Sequence, residues 1–145
     1  MKIKNIKIYL FITYLFFTPL TYANACDYLY PQFIVNDVNQ WANLSAKSVF
    51  DNTKKQTLAK AKKEHNQGIK LATLLKDQGK LGSLVIYTCG NKNLSFEISE
   101  LLTSDPEKSD YHLVISNKHF FKLVTKQGSQ PLLKKISKIK LMSVN

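Results

Sequence analysis

The feature that most constrains this chain is an apolar strand, a tight turn and a second strand between Leu84 and Ile98. Leu84-Val85-Ile86-Tyr87 is a near-continuous apolar run of the kind buried on both faces of a sheet. In the turn Thr88-Cys89-Gly90-Asn91-Lys92-Asn93, the Gly90-Asn91 pair permits positive φ. Leu94, Phe96 and Ile98 then alternate with Ser95 and Glu97, which predicts a half-buried strand. Upstream, Leu71, Leu74 and Leu75 fall at helical spacing and Gly79 sits where a left-handed cap would end the helix. The spacing predicts a short helix from Leu71 to Lys76. A chain organised around such a unit belongs to the α+β class, one compact domain with a mixed β-sheet and short helices.

The turn also carries Cys89, and the chain's second cysteine, Cys26, directly follows a segment of distinctive composition. Lys2, Lys4 and Lys7 precede an apolar run from Ile8 to Leu20, which ends in Ala23-Asn24-Ala25. That is the order of a secretory signal peptide, and the run is shorter than the ~20 residues that span a bilayer. The reading is therefore a leader over residues 1–25, cleaved after Ala25, and a single domain over residues 26–145 that is periplasmic or secreted. An uncleaved membrane anchor is the alternative. In an oxidising compartment two cysteines are expected to pair. A Cys26 to Cys89 bridge closes a loop of about 60 residues, for which the chain-entropy model gives about 4 kcal/mol. Two free thiols are the alternative, and a cysteine at the mature N-terminus also raises lipid modification. Against the latter, Ala23 stands where a branched apolar residue is usual.

The remaining elements follow from local pattern. Gln32-Phe33-Ile34-Val35 is β-prone and Asn36-Asp37 with Asn39 supply a turn. Trp41 fits a core plug better than a stacking platform. Leu44 to Phe50 suits a helical turn capped by Asn43 or Ser45. Thr57 to His65 divides: propensity favours helix, while alternation of Leu58 and Lys60 against Ala59 and Ala61 favours strand. Ser104 to Asp110 is an acidic loop around Pro106. Leu113 to Ser116, Asn117-Lys118, and His119 to Val124 form a β-hairpin. Leu132, Leu133 and Ile136 suit a last helical turn, and Lys138-Ile139-Lys140-Leu141 alternates as a final strand.

Charge and chemistry exclude more than they select. All ten acidic residues and eighteen of the twenty-one lysines follow residue 25, and there is no arginine. Lysines act as point charges without the bidentate fork that reads phosphate or guanine edges, which argues against nucleic acid as a partner. A basic surface drawn to an acidic protein or an anionic membrane fits better. His65, His112 and His119 have no partner at metal-ligand spacing, and His119 is the one carried forward as a ligand or acid-base candidate. No nucleophile elbow, phosphate-cradling glycine loop or Cys-x-x-Cys occurs. Glu97 and Glu100 fall on different elements, so a carboxylate pair finds no support. Tyr87, Asn91, Asn93, Phe96 and Tyr111 supply rings and amides near the central turn, with Glu107 or Asp110 as a carboxylate. Such a set suits a flat heterocycle, and it equally suits ordinary strand packing beside a polar turn.

Gly68-Ile69-Lys70-Leu71, Leu74-Leu75 and Gly79, read with Leu84-Val85-Ile86-Tyr87 and Leu113-Val114-Ile115-Ser116-Asn117, give an order of segments over residues 33–144. That order resembles the sulfite-oxidase-like molybdopterin-binding fold, including its small periplasmic members. Asn117-Lys118 stands at the family's Asn-Gly position, and Lys135 to Leu141 at its closing Lys-x-x-x-Ile strand. The resemblance implies a strand over Thr57 to Lys63. In catalytic members that strand carries a molybdenum-ligating cysteine, and here it carries alanines and lysines. Cys89-Gly90-Asn91-Lys92 imitates the family's Cys and Gly-Asn-Arg signature in a later strand, and the arginines that grip the cofactor phosphate are absent. The resemblance therefore implies a non-catalytic protein rather than an enzyme. It would hold a pterin-like ligand and report to a membrane sensor kinase or cyclic-dinucleotide enzyme. Tyr87, Asn91 and Tyr111 would stack on the ligand and bond its edge, Glu107 or Asp110 would supply the carboxylate, and His119 would lie close by. A ligand-free interaction module with a Lys-rich face is the alternative.

Overall fold

The computed structural model describes residues 26–58, 67–75, 78, 82–125, 130–142 and 144. The expected leader, Gly79 and most of the ambiguous stretch, residues 59–65, lie outside the described residues. The chain forms a single compact α+β domain whose strands fall into two five-stranded sheets. The first sheet has the order β2, β1, β10, β5, β6 and the second β3, β4, β7, β8, β9.

In the first sheet, β1 (Gln32–Val35) and β2 (Val38–Asn39) form a hairpin, and β1 runs parallel to β10 (Ile136–Met142). Asn36 and Asp37 both take positive φ, 50° and 62°, the pairing that a two-residue hairpin turn needs. β10 then pairs antiparallel with β5 (Ser83–Thr88), which pairs with β6 (Asn93–Glu97). The second sheet is antiparallel: β3 (Gln56–Thr57), β4 (Gln67–Lys70), β7 (Tyr111–Ile115), β8 (Phe121–Thr125) and β9 (Leu133–Lys134). One apolar core lies between the sheets. Phe33, Leu84, Ile86, Ile136 and Ile139 enter it from the first, and Ile69, Leu113, Phe121 and Leu123 from the second. Trp41 is buried in this core, with its ring centroid 5.3 Å from that of Phe33 and 5.8 Å from that of Phe121.

Short helices close the edges. α1 (Ala46–Asn52) begins at Ser45, whose hydroxyl accepts from the Ser48 amide and so satisfies one of the helix's open donors. α2 spans Leu71–Leu74, shorter than the expected segment ending at Lys76. α3 is Ile98–Leu101 and α4 Pro106–Ser109. The Ser104 to Asp110 stretch is thus partly helical rather than a loop, because Pro106 at a first helical position loses no hydrogen bond.

Three expectations need correction. Leu132, Leu133 and Ile136 do not form a helical turn. Lys135 takes a φ of 55°, which hands the chain from β9 in the second sheet to β10 in the first. The run Leu84 to Tyr87 is buried on one face, since Leu84, Ile86 and Thr88 point inward and Val85 and Tyr87 are only half-buried. β6 is an edge strand, and Leu94 is exposed. Of the strand expected over Thr57 to Lys63, Gln56–Thr57 form β3, and residues 59–63 lie outside the described residues.

Candidate functional site: the open face of the first sheet

Alternation along a strand sends neighbouring side chains to opposite faces, so the register assigns the outward residues. Ile34, Lys140, Val85 and Ser95 stand side by side on β1, β10, β5 and β6. Gln32, Lys138, Tyr87 and Asn93 form the adjacent row. None of these eight is fully buried. The Lys138 ammonium lies 4.5 Å from the centre of the Tyr87 ring, its cross-strand neighbour. That is within cation–π range, so the ring orients the charge without neutralising it. Among the described residues Lys47 pairs with Asp51 and His112 with Asp110. No carboxylate among the described residues lies within ion-pair distance of Lys138 or Lys140, which sit on the middle strand of the sheet.

The outer face of the second sheet is the opposite case. Leu58, Val114 and Val124 form a small buried cluster there, and His112 is fully buried beside it. His112 Nε2 lies 3.0 Å from Asp110 Oδ1, while Nδ1 is buried without a partner. Gly68 fits against this face because an added Cβ would come within 3.0 Å of the His112 Cβ.

The residues expected to hold a heterocycle are dispersed. Tyr87 faces outward from the first sheet, as the row above requires. Tyr111 packs inward, its ring 4.6 Å from that of Phe96, and Phe96 lies across from the buried Leu84. The two tyrosines therefore serve opposite faces of the first sheet. Asn91 is exposed in the β5–β6 turn with a φ of 60°. Asp110 is committed to His112. The Glu107 side chain lies outside the described residues. His119, with a φ of 63°, is exposed in the β7–β8 turn, whereas His112 is buried at the start of β7. The two histidines that flank the hairpin thus occupy different environments. Among the described residues no group of three or more His, Cys, Asp or Glu side chains is arranged to hold a metal ion.

Comparison with protein-family models, curated proteins and solved structures finds no match to this chain. What can be said of the site rests on its own geometry. Cys26 and Cys89 form the expected disulfide, with Cα atoms 5.5 Å apart, a bond that persists where the compartment is oxidising. It occupies the Cys26 sulfur that lipid modification would require. No helix among the described residues is long and apolar enough to cross a membrane. Sequence reasoning did not single out Lys138 and Lys140 as site residues, although the alternation of Lys138-Ile139-Lys140-Leu141 already puts both on one face.

Proposed function

We propose that this domain is a non-catalytic interaction module of an oxidising compartment, whose open sheet face docks on an acidic protein surface. The observation that carries the reading is the pair Lys138 and Lys140. Both project from the middle strand of a five-stranded sheet, among Ile34, Val85 and Tyr87, with no carboxylate among the described residues paired to either. An aromatic and aliphatic floor with two unneutralised charges offers an acidic partner both apolar contact and electrostatic steering. A pterin-like ligand finds less support, because its expected contacts are divided between the two faces of one sheet.

The test is a titration with soluble poly-L-glutamate, a stand-in for an acidic protein surface, at low and physiological ionic strength. Lys138→Gln with Lys140→Gln is expected to weaken binding about tenfold and to flatten the salt dependence. Lys47→Gln with Lys54→Gln, on and beside α1, should change both little. Equal losses from the two double variants would overturn the reading.

A further inference from the structure

Beyond the sheet face, a second surface is built at one end of the domain, where the disulfide ties the start of the described chain to three turns. Cys26 bonds Cys89 in the β5–β6 turn, and the Cys89 amide donates to the Lys135 carbonyl at the β9–β10 corner, 3.1 Å. Tyr28 packs edge-on against Phe120 of the β7–β8 turn, 5.7 Å between centroids, and the Lys135 ammonium lies 5.3 Å from the Tyr28 ring. Each of these turns exposes a lysine: Lys92, Lys118 and Lys135. Asp27, a carboxylate at this end, is turned back on its own backbone and accepts from the amides of Leu29 and Tyr30, both 3.1 Å, while Asp51, which interacts with His119 of the β7–β8 turn, is held by Lys47. The turn at Asp27 throws the Leu29 and Tyr30 side chains outward, 40% and 55% exposed.

We infer that this end seats the domain on an anionic lipid bilayer. Three lysines around a protruding leucine and tyrosine match the chemistry of the interface: ammonium groups meet lipid phosphates while the apolar groups enter the headgroup boundary. The position of the preceding chain makes the bilayer the occupant. Residues 1–25 contain the apolar run Ile8 to Leu20 and join the domain at Cys26, which the disulfide fixes at this end. Cys26 follows Leu20 by six residues, so this end is the part of the domain nearest that run along the chain. After release from it, the same groups keep the domain nearby, leaving the face of Lys138 and Lys140 free for a partner.

The experiment is co-sedimentation of the unreduced chain from residue 26 onward with two kinds of vesicle, pure phosphatidylcholine and phosphatidylcholine mixed with phosphatidylglycerol. Binding is expected to the mixed vesicles only and to fall about a hundredfold in Lys92→Gln with Lys118→Gln and Lys135→Gln, since each basic residue near an anionic surface contributes about fivefold. Tyr30→Ser should weaken binding at every salt concentration, while Lys138→Gln with Lys140→Gln leaves it within twofold. Equal binding to both vesicles, a triple variant that binds like the parent, or an equal loss from the sheet-face variant would overturn the inference. The last outcome would assign the lipid to the sheet face instead. Tyr30, Lys92, Lys118 and Lys135 are exposed and Lys138 and Lys140 half-buried, and unchanged circular dichroism confirms that each variant is folded.

Discussion

Leu84-Val85-Ile86 in β5 and Leu113-Val114-Ile115 in β7 are the same three residues in the same order, each in an interior strand of a five-stranded sheet. Their surroundings differ. Leu84 and Leu113 both point into the shared core and are fully buried. Val85 looks out between Lys140 and Ser95 and is half-buried, whereas Val114 is buried beneath Leu58 and next to Val124. A strand's own composition therefore fixes that it is interior, and residues distant in sequence decide whether one face or two are covered. On the first sheet the outward residues stay half-buried or exposed, and the proposed docking rests on that face. The second spends its outer face on stability.

The comparison predicts where the two strands should behave alike. Ile86→Ala and Leu113→Ala each leave a cavity in the same core and should each cost about 2–5 kcal/mol in chemical denaturation. A first-sheet cost under half that of the second would break the picture of one shared core. The β5–β6 turn is also held by the disulfide, which closes a separation of 63 residues. Replacing Cys26 and Cys89 together by serine should destabilise by about 2–4 kcal/mol, measured against the oxidised parent.

Where the strands should differ, the effects are smaller and more telling. Val114→Thr buries a hydroxyl among apolar groups and should cost about 1–3 kcal/mol, while Val85→Thr on the open face should stay within about 0.5 kcal/mol. Gly68→Ala tests the closed face directly. Its Cβ would meet the His112 Cβ at 3.0 Å and the Leu113 carbonyl at 3.3 Å, an overpacking that costs about 1–3 kcal/mol. The smallest effect is on the rim. The hydrogen bond from Lys47 holds the exposed Asp51 carboxyl below its ordinary value of 3.8. A depressed folded pKa means the contribution is present at neutral pH and is lost as pH falls through that range. Asp51→Asn should therefore slightly reduce stability at neutral pH and flatten only the acid limb of thermal melting against pH.

Much of the framework was legible in local pattern. The boundaries of β1, the Ser45 cap, the hairpin of β7 and β8, the strand Lys138 to Leu141 and the pairing of two cysteines all follow from alternation, capping chemistry and compartment. The misses share a cause, which is that tertiary contacts override spacing. Leu132, Leu133 and Ile136 match a helical period, yet Lys135 at positive φ splits them between two sheets. The fully buried His112 could not be foreseen, because it lies opposite Val124 across the hairpin and packs against Gly68. For the site, Lys-x-Lys alternation revealed a charged face, but only the register shows that its neighbours on β1 and β5 are Gln32, Ile34, Tyr87 and Val85, none of them acidic.

The most direct test of the account is an amide chemical-shift titration of the labelled, unreduced protein with poly-L-glutamate at low salt. The account predicts shifts concentrated on Gln32, Ile34, Val85, Tyr87, Lys138 and Lys140, with the amides of Leu113, Val114 and Val124 unmoved. Shifts centred on the second sheet, or on the turns around Lys92 and Lys118 with the open face silent, would contradict it.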